Sequence, residues 1–349
     1  MPTSFATIIV TRNRPTALAL SLPLHLAQSR LPERVLVIDS SDDPSENRKL
    51  VERLAATTSV PLEHQVSVPG ISLQRNIGLA QIRSDVVFFP DDDSLVHPDA
   101  LARMMLIYDM DKDGRIGGVC AVETVLPPSG ALDGQAASYE KRKVDRIRAR
   151  VAPLRTRLED RLFPDPMKLV AQRLQQHLPP PESWIAANNA VWVEWMTGFR
   201  MSFRTSVIKK VGFNENLGRY ALYEDIDAGL GVLAGGHSLV AARDAQIYHH
   251  KAPENRTGGG QMGVINILNR AYVVLRSGVA DRSVRASLDR YARLRIAQFA
   301  VGARNDYGRD RLTGARAAYR VLPDLLSCPP KLLDEVYISL RQTCLDLSK

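Results

Sequence analysis

The stretch DVVFFPDDD, residues 85–93, decides the fold of this chain of 349 residues. Its apolar run indicates a buried β-strand, and three consecutive carboxylates follow that run. Because three like charges repel one another, we expect a cation beside them. Ligands of α/β proteins usually bind at the carboxyl ends of strands, and carboxylate oxygens suit Mg²⁺ or Mn²⁺. We therefore interpret the stretch as a metal and phosphate site, with a structural turn as the alternative.

The residues on both sides of this stretch alternate short apolar runs with helical patterns. Further strands are predicted at 5–10, 34–39, 62–66 and 117–125, and helices at 18–29, 45–56, 71–82 and 97–108. Strands that alternate with helices pair in parallel through right-handed crossovers. We predict a doubly wound, mostly parallel α/β sheet whose polar loops meet at one edge.

The second half of the chain carries another acidic pair and a histidine pair. Residues 192–203 are aromatic and apolar, and a helix is predicted from Tyr223 to Gly236. Two short strands are predicted at 238–242 and 245–248, and His249 and His250 follow the second. The remaining residues show only helical patterns.

A basic insert separates the two halves. The chain has a formal net charge of +8, and residues 140–173 alone hold eleven Lys or Arg against five Asp or Glu. A general nucleic-acid-binding surface therefore explains the charge poorly, and we expect no nucleic acid partner. Apolar residues at steps of three and four predict a basic amphipathic helix over 144–162, kinked at Pro153. Either this helix packs on the core with a solvated arginine face, or it contacts anionic lipid or an anionic acceptor.

These patterns predict a domain organisation. One domain spans residues 1–255 and comprises a nucleotide-binding half at 1–125, the basic helical insert at 127–183 and an acceptor or catalytic half at 184–255. A helical C-terminal region follows at 256–349.

Cysteine usage and hydropathy predict the compartment. Cys120, Cys328 and Cys344 are odd in number and lack metal-type spacing, which is typical of reduced thiols. No apolar run approaches the roughly 18 residues that span a bilayer, and no signal-type cleavage site follows the first apolar patch. We expect a cytoplasmic protein, with peripheral contact at the inner face of an anionic membrane as a further possibility.

The order of these features resembles the family 2 glycosyltransferases, which are inverting enzymes with the GT-A fold. The resemblance covers about residues 5–125 and 192–250. It rests on a polar loop after the first strand, on an aspartate after the second, and on four residue groups that follow: Arg75-Asn76, Asp91-Asp92-Asp93, Glu224-Asp225 and His249-His250.

The resemblance implies roles for individual residues. It places seven of them against the nucleotide-sugar: Thr11, Asn13, Asp39, Arg75, Asn76, Asp91 and Asp92. We expect Arg14 to add a phosphate contact that ordinary members of the family lack, with a solvated loop arginine as the alternative. The resemblance assigns Asp93 to Mn²⁺ or Mg²⁺ together with His249, for which His250 is the alternative. It makes Asp225 the general base and places three residues on the acceptor side: Trp195, Gly198 and Glu224.

The implied function is metal-dependent transfer of a hexose from a nucleotide-sugar, most often UDP-linked in this family. The acceptor would be a hydroxyl of a glycan or a lipid-linked saccharide, as in polysaccharide biosynthesis. The chemistry suits the residues, since a cation stabilises a leaving diphosphate and a carboxylate activates a hydroxyl. The segments VTRN at 10–13 and DSSD at 39–42 depart from the family pattern in the nucleotide pocket.

Two rival functions make different predictions. A sugar-1-phosphate nucleotidyltransferase opens with a glycine-rich phosphate loop, but residues 11–16 contain no glycine. A non-catalytic carbohydrate-binding subunit with a GT-A-like fold would lack an acid of the site, whereas Asp91, Asp93 and Asp225 are all present.

Overall fold

The computed structural model describes residues 2–132, 164–252 and 257–347. These residues form two compact units. The first unit consists of residues 2–132, 177–219 and 224–252, and the second of residues 164–176, 220–223 and 257–347.

The first unit is built on a sheet with nine strands among the described residues. The strands are β1 (Phe5–Thr11), β2 (Arg34–Asp39), β3 (Leu62–Val66), β4 (Val86–Phe89), β5 (Ser94–Val96), β6 (Ile116–Glu123), β7 (Ala190–Trp192), β8 (Met201–Arg204) and β9 (Ser238–His249). Their order is β3-β2-β1-β4-β8-β6-β9-β5, and β7 also pairs with β9. Strands β5, β7 and β8 pair antiparallel with their neighbours, whereas the other strands share one direction. The mostly parallel sheet predicted from the sequence is therefore confirmed.

The helices of the described residues follow the predicted pattern. They are α1 (Pro15–Leu26), α2 (Ser45–Ala55), α3 (Ile71–Ala80), α4 (Ala100–Met110), α5 (Pro166–Gln175), α6 (Ser183–Ala187), α7 (Thr205–Val211), α8 (Glu224–Ala234), α9 (Gly259–Arg276), α10 (Arg282–Val301), α11 (Asp306–Ser327) and α12 (Leu333–Asp346). Helices α1 to α4 and α6 to α8 lie in the first unit. The second unit is helical, as predicted for the C-terminal region.

The residues of β1 and β4 form central strands of the sheet because their side chains are apolar on both faces. Every residue of β1 and of β4 is buried, which is typical of parallel strands covered by helices on both sides. Helix α3 packs closely on β1 because Gly78 has no side chain. A Cβ at that position would lie 2.8 Å from Cγ2 of Ile8.

The structure corrects two sequence predictions. The two short strands predicted at 238–242 and 245–248 are one strand, β9, because an irregularity in its pairing with β6 carries the exposed pair Arg243 and Asp244 without ending the strand. Polar residues at the irregularity resemble a turn in the sequence. Strand β5, at 94–96, was not predicted because it is short and follows the acidic triplet directly.

The predicted amphipathic helix at 144–162 lies outside the described residues. Within the described part of the chain, no helix is both long and apolar enough to cross a membrane.

Candidate functional site

The polar residues singled out in the sequence meet at the carboxyl edge of the sheet. Strand β1 ends at Thr11, β2 ends at Asp39, and Asp91 lies just beyond the end of β4, where it forms a bridge with Val10. These three strands are adjacent and parallel, so their ends open on the same side. Ligands of this fold class bind at such an edge.

Asp92 is buried and held by three neighbours. Its carboxylate accepts hydrogen bonds from Oγ1 of Thr11 at 2.7 Å and from Nη1 of Arg14 at 2.6 Å. Its backbone carbonyl accepts from the hydroxyl of Ser21 at 2.6 Å. Burial raises the pKa of Asp92, while the charge of Arg14 and the Thr11 hydroxyl oppose that shift.

Asp93 has one engaged and one open carboxylate oxygen. Oδ2 accepts from Nη2 of Arg14 at 2.6 Å and from the backbone N–H of Ala252 at 3.0 Å. Oδ1 is buried and accepts no hydrogen bond from the described residues, although Nε2 of His249 lies 3.3 Å away. Burial alone would raise the pKa of Asp93, but His249 and Arg14 outweigh it and hold that pKa well below its usual range.

Asp91, Asp93 and His249 form a candidate metal centre. One potential ligand atom from each residue lies within 4.8 Å of the other two. The His249 ring is fixed by stacking on Phe199, with ring centroids 4.4 Å apart and planes 13° apart. An open buried oxygen beside a second carboxylate and an imidazole is a donor set that fits Mn²⁺ or Mg²⁺. His250 is the next residue, and its backbone N–H donates to the Asp93 carbonyl at 3.0 Å.

Arg75 connects the metal side to the acidic pair on α8. Its side chain is only 1% exposed, and it donates to Glu224 and to Asp91, the latter at 3.2 Å. Burial raises the pKa of Glu224 to about 8 even though Arg75 opposes the shift. A Cβ at position 198 would lie 3.3 Å from Nη2 of Arg75, so Gly198 leaves room for this ion pair.

Asp225 is the half-buried acid beside this pair. Its Oδ2 accepts the backbone N–H of Gly198 and its Oδ1 that of Ile226, both at 2.8 Å. Burial raises the pKa of Asp225 against these two hydrogen bonds, which favours a carboxyl group able to take up a proton.

Asp39 differs from the other acids because its carboxylate is fully engaged. It accepts from Asn47 at 2.9 Å and from the Ser41 N–H at 2.8 Å, and Nε2 of His64 lies 3.0 Å away. Burial works to raise the pKa of Asp39, but these hydrogen bonds outweigh it and lower that pKa. The residue has no exposed surface.

The loop after β1 is fastened to the loop after β2. Asn13, in the left-handed region with φ of 52°, donates to Oδ2 of Asp42 at 2.7 Å and accepts the Asp42 N–H at 2.9 Å. Arg12 pairs with the exposed carboxylate of Asp42 at 2.9 Å. The conformation of the loop after β1 therefore depends on Asp42.

Two predicted site residues have other surroundings. The Asn76 amide donates to the Phe213 carbonyl and to Glu215, both at 2.8 Å, and thereby fixes the loop after α7. Trp195 is half-buried in the segment between β7 and β8.

Two further residues contribute to the site and were not predicted from the sequence. Gln74 is buried and donates to the carbonyls of Thr11 and Ile38 at the ends of β1 and β2. A polar residue next to Arg75 on a helix that faces strands is a signal for such a role. His64 gave no signal, because its contact with Asp39 depends on the pairing of β2 with β3.

Comparisons with known proteins agree with this geometry. Residues 7–142 match the family described as Glycosyl transferase family 2. A search of curated proteins finds no significant match.

Several solved structures share the fold. TarS 1-349 of S. aureus in complex with UDP-GlcNAc is 12% identical, and the match covers 97% of this chain and 91% of that one with a TM-score of 0.53. Mannosyltransferase PcManGT from Pyrobaculum calidifontis, in complex with GDP-Man and Mn²⁺, is 13% identical over 98% of this chain and 87% of its own, with a TM-score of 0.50. GalNAc-T7 with UDP, GalNAc and Mn²⁺ is 12% identical over 78% and 48% of the two chains, also with a TM-score of 0.50. At these identities the likeness establishes the fold, and the predicted GT-A type is confirmed.

Proposed function

We propose, from the match of residues 7–142 to the family described as Glycosyl transferase family 2, that the protein is a metal-dependent inverting glycosyltransferase. It moves a hexose from a nucleotide-sugar, a UDP-sugar in our proposal, to a hydroxyl of a glycan or lipid-linked saccharide. The observation that carries the proposal is the candidate metal centre of Asp91, Asp93 and His249, joined through Arg75 to the acidic pair on α8.

The donor side consists of the loops at the ends of β1, β2 and β4. Asp91, Asp93 and His249 would hold Mn²⁺ or Mg²⁺, which when bound supplies positive charge for a leaving diphosphate. Three solved structures of the same fold are complexes with GDP-Man, UDP-GlcNAc or UDP, two of them with Mn²⁺. Asp39 has no exposed surface, so its contribution to base recognition would come through the loop it fixes.

The acceptor side centres on Asp225. We assign it as the general base, because the Gly198 N–H orients its carboxylate at 2.8 Å while Glu224 is engaged by Arg75. The carboxylate takes the proton of the acceptor hydroxyl as that oxygen attacks the anomeric carbon. Attack from the face opposite the leaving group inverts the anomeric centre. Trp195 is proposed as an acceptor-side aromatic residue.

The proposal extends to the arrangement of the chain. The glycosyltransferase domain comprises residues 1–255, with the insert at 127–183 as the part that contacts an anionic membrane from the cytoplasmic side, and residues 256–349 form a helical region. Flotation with liposomes that contain or lack anionic lipid tests the membrane contact. Equal flotation with both kinds of liposome would contradict it.

A ligand panel read by thermal unfolding tests the donor assignment. A ligand that binds the native state raises the melting temperature by mass action, so we expect UDP-sugars with Mn²⁺ to raise it and the same ligands with chelator to have less effect. No shift with any nucleotide-sugar in the presence of Mn²⁺ would overturn the proposed function.

The Asp225→Asn variant tests the general base. We expect the melting-temperature shift with the donor to persist, because the substitution leaves the donor side intact. Transfer should fall by about 10²- to 10⁴-fold, the usual contribution of a general base. Asp227→Asn, which changes another aspartate in the first turn of α8, is the matched control. Normal transfer by Asp225→Asn would rule out the assignment.

A further inference from the structure

Arg14 is placed by the backbone to face the acidic triplet. It caps α1 in a non-helical conformation, with φ of −138°, and Pro15 begins the helix. A residue before proline is kept out of the helical region by steric contact. Its guanidinium therefore leaves the helix end toward the neighbouring strand end, where it reaches both Asp92 and Asp93 at 2.6 Å.

The guanidinium engages one oxygen of each carboxylate. Nη1 binds Oδ1 of Asp92 and Nη2 binds Oδ2 of Asp93. A planar fork can satisfy two acceptors at fixed positions, which a single ammonium group cannot do. Both carboxylates are almost fully buried, with side chains 3% exposed, so this pairing also offsets charges that would otherwise be costly.

Because of the contact with Arg14, the two carboxylate oxygens of Asp93 have different surroundings. Oδ2 is engaged by Arg14 and by the Ala252 N–H. Oδ1 accepts no hydrogen bond within the described residues and lies on the side of His249, with Asp91 in the same cluster. Rotation of the carboxylate is blocked as long as Oδ2 is held.

We propose that Arg14 is a positioning residue that fixes the Asp93 carboxylate so that Oδ1 is presented to a divalent cation. The inference rests on the proposed function, because it assumes that Asp91, Asp93 and His249 bind the metal. It assigns to Arg14 no contact with the nucleotide-sugar, in contrast to the phosphate contact expected from the sequence. The Arg14 guanidinium supplies a permanent positive charge beside the acidic triplet, and its second hydrogen bond, to Asp92, holds it in place.

A neighbouring arginine provides the matched control. Arg12 lies in the same loop, but it pairs with Asp42, whose side chain is 73% exposed. Loss of Arg12 removes the same charge without touching the acidic triplet. A change in Mn²⁺ affinity that is common to both variants would therefore be caused by the change in net charge. A change found only when Arg14 is replaced would be caused by altered orientation of the Asp93 carboxylate.

The test must separate orientation from electrostatics, because removal of a cation by itself attracts Mn²⁺ to the site. The R14Q/D92N double variant removes one positive and one negative charge and leaves the net charge of the cluster unchanged. Binding of Mn²⁺ alone to the full chain is measured by the loss of the free-ion signal in electron paramagnetic resonance. The melting temperature of each metal-free variant is recorded as a measure of folding.

We expect R14Q/D92N to bind Mn²⁺ about 10- to 100-fold more weakly than wild type, the usual effect of losing a group that orients a metal ligand. R12Q should bind as wild type does. R14K keeps the charge but cannot bridge both carboxylates, so we expect it to bind Mn²⁺ more weakly than wild type as well. If the double variant does not fold, R14K alone tests the inference. Wild-type affinity or tighter binding in R14Q/D92N, or in R14K, overturns the inference alone. Absence of Mn²⁺ binding to the wild type overturns the metal role in the proposed function, and the inference with it.

Discussion

The carboxylates at the ends of β2 and β4 are buried to a similar degree but differ in how they are satisfied. Asp39 accepts hydrogen bonds from Asn47 and Ser41 and contacts His64, so both of its oxygens are occupied. Asp93 shares one oxygen between Arg14 and Ala252, whereas its other oxygen accepts no well-formed hydrogen bond from the described residues and lies 3.3 Å from Nε2 of His249. A saturated carboxylate holds loops together, whereas an open one is prepared for a ligand.

The largest expected effect comes from the ion pair between these strand ends and α8. Arg75→Met leaves Glu224 and Asp91 without their buried cation, and breaking a buried pair in this way costs about 3–5 kcal/mol. Urea unfolding measures the loss in free energy of unfolding. Arg12→Met is the control, since an exposed pair contributes about 1 kcal/mol or less. Equal losses in the two variants would show that Arg75 is not the central cation of the site.

His25 allows a test of whether a buried polar group without a well-formed hydrogen bond must belong to a ligand site. It is fully buried, and among the described residues its ring makes no well-formed hydrogen bond, although the Ser94 backbone lies close enough to favour the charged form. Burial lowers the pKa of His25 to about 4 from an ordinary value of 6.5. Between these two values the unfolded chain binds a proton that the folded chain does not, so stability falls as pH drops through that window, in total by about 3 kcal/mol.

The comparison of wild type with His25→Leu isolates this loss. Other titrating groups contribute equally to both proteins and cancel. We expect the free energy of unfolding of the wild type, relative to the variant, to fall by about 3 kcal/mol between pH 7 and pH 4. A difference that does not change with pH would mean that folding leaves the pKa of His25 unchanged.

The Asp93 carboxylate should report on metal binding. We expect Asp93→Asn to weaken Mn²⁺ binding by about 100-fold, equal to about 2.8 kcal/mol, because a neutral amide replaces an ionised ligand. Calorimetry with UDP in the presence and absence of Mn²⁺ measures the effect. Unchanged metal-dependent affinity would remove Asp93 from the candidate metal centre.

The saturated carboxylate should behave in the opposite way. Asp39→Asn replaces an acceptor by a donor opposite Asn47 and Ser41, and an unsatisfied buried group of this kind costs about 1–3 kcal/mol. Mn²⁺ affinity should remain that of the wild type, which the same calorimetry checks. A loss of metal affinity as large as that of Asp93→Asn would break the distinction between the two strand ends.

The residues that the order of predicted elements brings together lie at one edge of the sheet in the structure. The acidic triplet directly follows a predicted strand, and Arg75 and Asp225 lie within predicted helices that lead from or to that edge. The hydrogen bonds of Asp93 with Arg14 and Ala252 could not be predicted, because these residues reach it from the loops after β1 and β9. His249 was paired with Asp93 only through the family resemblance. Asn76 shows the same limit, since its amide fixes a loop far along the chain.

Strand continuity explains the remaining error in the fold. Arg243 and Asp244 suggested a break, yet β9 passes through them and delivers His249 opposite Ser94. Pairing partners on β6 and β5 keep β9 in the sheet as far as His249, and no local pattern contains that information.

Because β9 contains an irregularity, the number of residues between it and His249 affects the candidate metal centre. Successive residues of a strand point to opposite faces of a sheet, so deletion of one residue at the exposed Arg243 or Asp244 would turn His249 to the other face, away from Asp93. Deletions at exposed positions are ordinarily tolerated because they disturb no core. Here the residue count between Ala242 and His249 constrains the site as strictly as the identity of residue 249 does, and an aligned histidine in a chain with a different count would not stand for the same ligand.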